Sequence, residues 1–346
     1  MKTLLYYLVK LYIKTGLYFY SKKIRVIGSE NVPKKGAVLF LANHPNGLVD
    51  PLFIATNTSR KTFFLVRAAV FKNKIVAFLF DLIGMMPIYR IRDGIKELSK
   101  NDAIFNKCYD ILGSKKSLLI FPEGSHNRKR TVRPLSKGFT RIVFGTIDKY
   151  PNLPIHLVPV GITYQNSSTY PCKIALHYGN AIIANDYYNK ENINQSANQL
   201  KSNVQDALER LCVHIPTSEY EHTNNLLNTA NIDFTNVEYT NQIIQDKVLP
   251  VNTPKKKKNI VLLSLVIINS FIPYFLWKTA SKKVDEIEFV DTFRFAMTIV
   301  LFPLFYALQA FIIYRVMNNI SYAVLYFLFS ILLVLLYTKT STTNSE

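Results

Sequence analysis

The stretch Ala37-Val38-Leu39-Phe40-Leu41-Ala42-Asn43-His44-Pro45-Asn46-Gly47-Leu48-Val49-Asp50-Pro51 decides how the chain is read. Its apolar opening, Ala37 to Leu41, reads as a short strand, and the turn residues behind it place His44 at the strand's end, where ligand sites of α/β sheets gather. Histidine ionises near neutrality and can take a proton from a hydroxyl, while a nearby carboxylate fixes its tautomer and steadies the imidazolium. Asp50 is the candidate partner. On a continuous helix, six steps of about 100° would leave it roughly 240° round from His44 and facing away. Pro45 and Gly47 argue against such a helix and for a loop that folds the carboxylate back onto the ring. Taken alone, a His-Pro-Asn-Gly run reads first as a polar surface turn.

Three further blocks follow in order: Gly84-Met85-Met86-Pro87-Ile88-Tyr89-Arg90, Phe121-Pro122-Glu123-Gly124-Ser125-His126-Asn127-Arg128, and Val158-Pro159-Val160-Gly161. Together with the first, these resemble the phospholipid/glycerol acyltransferase superfamily over roughly residues 24 to 185. The resemblance implies transfer of a fatty acyl group from a thioester carrier to a glycerol phosphate or lysophospholipid. It implies a catalytic His44 and Asp50, an acceptor phosphate held by Arg90, and contacts from Glu123, Gly124 and, more weakly, Lys137. Asn43, Pro45, Gly84, Pro122 and Pro159 fall to structural positions of the motifs. Most of the family has four residues between the histidine and the aspartate. This chain has five, Pro45 to Val49, as in the branch holding the fungal-type glycerol-3-phosphate and dihydroxyacetone-phosphate enzymes, which tilts the acceptor toward unacylated triose phosphates.

Of the net charge of +19, residues 1–150 carry +18, with 27 Lys and Arg against 9 Asp and Glu. Such a field attracts lipid headgroups, phosphorylated small molecules or acidic carrier proteins. No nucleic-acid-binding fold is legible. Cys108, Cys172 and Cys212 are odd in number and widely spaced, which points to reduced packing thiols and no metal site. The remaining histidines, His126, His156, His177, His214 and His222, read as surface or packing residues.

Leu4 to Tyr20 reads as a helix lying in the membrane interface with Lys10 and Lys14 toward the phosphates. A retained helix is favoured over a signal peptide, since no small-residue cleavage site follows. Strands are expected at Arg25–Ile27, Thr62–Val66, Ser117–Phe121, Ile155–Tyr164 and Lys173–Tyr178. Helices are expected at Lys74–Leu82, Asp102–Leu112, Phe139–Tyr150 and Asn192–Val213. Within the strand at 155–164, Pro159 by itself argues for an edge or a bulge. The basic run Arg128, Lys129, Arg130, Arg133, Lys137 and Arg141 reads mainly as a solvated face, some of it meeting acyl-CoA phosphates or acidic lipid. Lys137-Gly138 opens a helix whose N-terminus favours anions.

Apolar runs at Ile260–Trp277, Phe295–Ile313 and Ser321–Tyr337 are transmembrane candidates. The lysines at 255–258 place their junction on the cytoplasmic side, although Lys278, Lys282, Lys283 and Arg294 blur that rule. The expected fold class is α/β, a mixed sheet flanked by helices, with an N-terminal interfacial helix and a C-terminal transmembrane segment. Its domains are 1–23, the membrane-lying helix; 24–215, the catalytic domain; 216–254, a polar linker or helical insertion; and 255–346, two or three membrane helices. The leading reading is a membrane-bound O-acyltransferase using an acyl-CoA or acyl carrier protein donor and no cofactor. Its acceptor is glycerol 3-phosphate or dihydroxyacetone phosphate, with 1-acylglycerol 3-phosphate as the alternative. A serine hydrolase built on Ser125 lacks the Gly-x-Ser-x-Gly elbow. A lipid-binding adaptor with a dead site is the non-enzymatic alternative.

Overall fold

Six apolar residues in a row suit a strand buried on both faces, and Ala37–Ala42 is buried throughout. The computed structural model describes residues 2–71, 73–89, 99–248, 251–254 and 259–344. In chain order α1 (Lys2–Tyr20) leads to β1 (Lys23–Ile27), β2 (Ala37–Ala42), α2 (Val49–Thr56), β3 (Thr62–Arg67), α3 (Lys74–Leu82) and β4 (Met85–Ile88). Next come α4 (Asn101–Gly113), β5 (Ser117–Ile120), α5 (Gly138–Lys149), β6 (Ile155–Tyr164), β7 (Lys173–Tyr178), β8 (Ile182–Ile183) and α6 (Ile193–Leu211). The C-terminal part holds α7 (Tyr220–Thr229), α8 (Val237–Asp246), α9 (Ile260–Asn269), α10 (Phe271–Ser281), α11 (Val290–Met317) and α12 (Ile320–Thr340).

The sheet runs β1-β7-β6-β2-β5-β3-β4, with β8 also on β6. It is mixed: β6 is antiparallel to β7 and β8, and the other pairs are parallel. Alternation along β2 divides the core. Leu39 and Leu41 pack with α4, α5 and α6 through Leu112, Phe139 and Leu200. Val38, Phe40 and Ala42 face α1 and α2 through Leu17, Tyr20 and Phe53, where Phe295 of α11 joins them.

Pro159 departs from the edge or bulge expected of it: β6 is a central strand, and Leu41 of β2 is paired with Pro159. The reason lies on the other side of β6. There β8 pairs with His156 and Leu157, while the pairing with β7 begins at Val160. The carbonyl of Pro159 accepts the Gly179 N–H at 2.9 Å on that side. The missing proline N–H therefore forgoes only the reciprocal bond to Gly179, at the very end of the β6–β7 ladder and before β8 takes over, where one lost bond is tolerated.

The polar stretch 216–254 holds α7 and α8, which pack on Ala175 of β7 through Ile215, Leu227, Phe234 and Val237. Its polarity belongs to the outward faces. On α1, Lys10 does not turn outward as read from the sequence. Its ammonium donates to the carbonyls of Thr58 and Arg60 behind α2, because α1 lies against the sheet and α2 with Tyr6, Leu17 and Tyr20 buried. Lys14 is exposed, as are Leu4, Leu8 and Leu11.

Among the described residues, two helices are long and apolar enough to cross a membrane, Ile287–Met317 and Ile320–Thr340. The run beginning at Ile260 is broken instead: α9 and α10 meet at 97°. Pro273 sits in the first turn of α10, where its missing N–H is harmless but where α9 could not have continued through it. The carbonyl of Asn269 freed by the break accepts from Gln309 of α11. The lysines at 255–258 lie outside the described residues.

Candidate active site

The chain leaves β2 in a fixed direction because Asn43 continues the sheet with its side chain. Its Nδ2 donates to the Ile162 carbonyl at 2.9 Å, and its Oδ1 accepts the Ile162 N–H at 2.7 Å. His44 follows at the strand's end. The backbone then turns through Pro45 to Leu48 and enters α2, so Asp50 sits in that helix's first turn. The turn brings the two groups together, with His44 Nδ1 2.8 Å from Asp50 Oδ2.

Asp50 is fully buried, and both its oxygens accept further hydrogen bonds. Oδ2 also accepts the Asn46 N–H at 2.8 Å, and Oδ1 accepts the Tyr164 hydroxyl at 2.7 Å. Burial pushes the Asp50 carboxyl well above the ordinary carboxylate range, against the Tyr164 and Asn46 hydrogen bonds that pull it down. The His44 ring stacks on Phe121, with centroids 3.8 Å apart and planes 13° from parallel. Its face and its Nδ1 are thus both constrained.

His44 lies on the wall of a cavity of about 1150 Å³. Apolar side chains from β3, α4 and α5, among them Leu65, Phe105 and Ile142, line one part, and Glu123, Lys137 and Arg141 bring charge to another. This combination suits a ligand with a long apolar part and an anionic head. Among the described residues, no group of three or more His, Cys, Asp or Glu could hold a metal ion. The three cysteines are buried thiols.

Glu123 does not reach into open space. Its buried carboxylate takes the Arg133 Nε at 2.7 Å, and Arg133 also donates to the Ser125 hydroxyl at 2.9 Å and to the Ser125 carbonyl. Burial raises the Glu123 carboxyl, partly offset by Arg133. Arg133 therefore braces the Phe121–Ser125 turn and is not part of a solvated face. Arg130 departs from that reading too, with its guanidinium 3.8 Å above the Phe234 ring, whereas Lys129 and Arg141 make exposed pairs with Glu221 and Asp102. Gly124 has φ +78° and a Cβ there would meet nothing within 4 Å, so the backbone conformation calls for glycine at this point. The Ser136 N–H donates to the Pro122 carbonyl, bringing the approach to Lys137 beside the same turn. Gly84 closes the bend before β4, its carbonyl accepting the Phe64 N–H.

Ile88 and Tyr89 border the cavity, but Arg90 lies outside the described residues. His126 is not a remote packing histidine. Its ring meets the edge of His44 at 5.9 Å, faces Phe289 at 5.0 Å and bonds Glu286 at 3.1 Å, and burial together with His44 lowers its affinity for a proton. Sequence reading missed Tyr164 and Arg133. The end of a strand so close to Gly161 was a faint signal for the first, and the motif, which ends at Arg128, gave none for the second.

Residues 23–163 match the acyltransferase family. Glycerol-3-phosphate O-acyltransferase 1 of Saccharomyces cerevisiae is 23% identical over 123 residues, covering 34% of this chain and 16% of that protein. The 1-acyl-sn-glycerol-3-phosphate acyltransferase of Borreliella burgdorferi is 28% identical over 134 residues, covering 39% of this chain and 51% of that protein. The chain thus spans from about a sixth to half the length of these two relatives. Among solved structures, the 1-acyl-sn-glycerophosphate acyltransferase of Thermotoga maritima is similar with a TM-score of 0.44 and 18% identity, over 59% of this chain and 80% of that one.

Proposed function

Since residues 23–163 carry an acyltransferase-family domain, we propose that the chain is a membrane-bound O-acyltransferase of phospholipid synthesis. It moves a fatty acyl group from an acyl-CoA or acyl carrier protein thioester to glycerol 3-phosphate or dihydroxyacetone phosphate. The observation that carries this reading is the 2.8 Å His44–Asp50 pair on the wall of a cavity with one apolar and one charged region.

With Nδ1–H donated to Asp50, Nε2 is the basic ring nitrogen. It takes the proton of the acceptor hydroxyl as that oxygen attacks the thioester carbonyl. The tetrahedral intermediate collapses with loss of thiolate, which recovers the proton from the imidazolium. Asp50 stabilises that imidazolium, and Glu123, through Arg133, holds the turn beside it. Lys137 and Arg90 are assigned to the acceptor phosphate, Lys137 from its place on the cavity and Arg90 from the motif. Gly124 is assigned to the substrate side of its turn because nothing fills the space beside its Cα. The catalytic domain is assigned to the cytoplasmic face, and α1 to the interface beside the spanning helices.

The second reading, 1-acylglycerol 3-phosphate as acceptor, is favoured by the Borreliella burgdorferi relative and uses the same chemistry. Offering labelled acyl-CoA to the purified full chain with the three acceptors in competition tests the proposal. The expected result is an acylated glycerol phosphate, with the unacylated acceptors consumed first. Free fatty acid as the sole labelled product would contradict it.

A further inference from the structure

The turn that carries His44 is held from a part of the chain outside the matched domain. α2 has eight residues and no side-chain cap of its own. The Leu48 N–H at its start is accepted by Thr292 Oγ1 at 2.9 Å, 244 positions away, and the Gly47 N–H by the Glu288 carbonyl at 3.0 Å. Asn46 Nδ2 donates to Asp291 Oδ2 at 3.0 Å and to the Ser167 carbonyl at 3.3 Å. Three consecutive loop residues are therefore tied to the head of α11. The Asn46 backbone N–H is the group that shares Asp50 Oδ2 with His44, so the ties end on the proposed catalytic pair.

The anchor itself is braced. Asp291 accepts from Tyr20 of α1 and from Arg294 at 2.8 Å, and Arg294 reaches the Ser168 carbonyl at 2.7 Å. A separate observation agrees. Gly47 has no positive φ, yet a Cβ there would lie 2.7 Å from Thr292 Oγ1 and 2.9 Å from Phe289. Glycine at that motif position is thus explained by the close approach of α11 and not by the turn. Phe289 and Phe293 also wall the cavity.

We propose that Thr292 and Asp291 are positioning residues of the acyl transfer, holding the His44–Asp50 loop through Leu48 and Asn46, so that the C-terminal apolar hairpin completes the active site. This rests on the function proposed above. A loop whose amides lose their acceptors samples many conformers, and misplacing a base by even about 1 Å costs up to about a hundredfold in rate.

The test uses the full chain in detergent micelles, comparing wild type with Thr292→Val, which keeps the shape and removes the acceptor, and Thr292→Ser, which restores it. Amide exchange is followed in the peptide spanning residues 43–52, and acyl transfer in parallel. In Thr292→Val, exchange in that peptide is expected to accelerate by about tenfold and kcat to fall by about tenfold, with KM for donor and acceptor within about twofold. Thr292→Ser is expected to restore both. Unchanged exchange in Thr292→Val overturns the inference whatever the enzyme activity is. So does faster exchange with a wild-type kcat. His44→Ala run alongside separates this outcome from failure of the functional reading, which would show as transfer surviving in that variant.

Discussion

Asp50→Asn is expected to lower kcat by about a hundredfold or more while leaving the fold in place. The buried carboxylate accepts three hydrogen bonds, two on Oδ2 and one on Oδ1. A carboxylate is an acceptor at both oxygens, whereas an amide offers one acceptor and one NH2 group. Placing the amide oxygen at the Oδ2 position preserves the bonds to His44 and Asn46. The NH2 then faces Tyr164, whose hydroxyl can turn to accept. Packing and tautomer both survive, and only the negative charge opposite the imidazolium is lost. Because burial already disfavours the charged carboxylate, folding stability is expected to hold or rise. Enzyme assays paired with thermal unfolding separate the two effects, and loss of both activity and stability would contradict this account of Asp50.

Arg133→Met is expected to destabilise the sheet domain by about 3 kcal/mol, since removing one partner strands a buried charge. The Glu123 side chain is 3% exposed and that of Arg133 is 29%, which places the loss toward the lower end for such pairs. The sign of the pH dependence follows. Burial holds the Glu123 carboxyl above its ordinary value, and Arg133 limits that rise. Without Arg133 the rise is larger, and a carboxyl whose native value exceeds its unfolded one binds more protons when folded. Stability of the variant therefore falls as the pH climbs from the ordinary carboxylate range through the displaced one. Glu123→Gln in the same background removes the stranded charge and is expected to recover part of the loss. Chemical unfolding at two pH values checks both; a pH-independent loss would remove Glu123 from the explanation.

Much of this organisation was legible because its signals are local. The uniform burial of Ala37–Ala42 follows from six apolar residues, and the bend between His44 and Asp50 from a proline and a glycine where a helix would separate the two groups. What escaped depends on distant segments. Pro159 looks like an edge residue until it is seen to lie where the partner of β6 changes from β7 to β8. Arg133 is indistinguishable from its basic neighbours until the turn folds Glu123 against it. Lys10 has an ordinary interfacial pattern, but the loop behind α2 offers it carbonyls. Gly47 reads as a turn residue and proves to be a contact residue. The charges at 291 and 294, close to an apolar helix, were the one hint that this end of α11 faces polar partners.

The role proposed for His44 is to take the proton from an alcohol as it attacks a thioester. It is tested most directly by the rate of labelled acyl transfer to glycerol 3-phosphate catalysed by His44→Ala, purified beside the wild type and matched to it in unfolding temperature. The expected result is a rate lower by about a hundredfold to ten-thousandfold, with donor KM little changed. A folded variant that transfers the acyl group at close to the wild-type rate would contradict it.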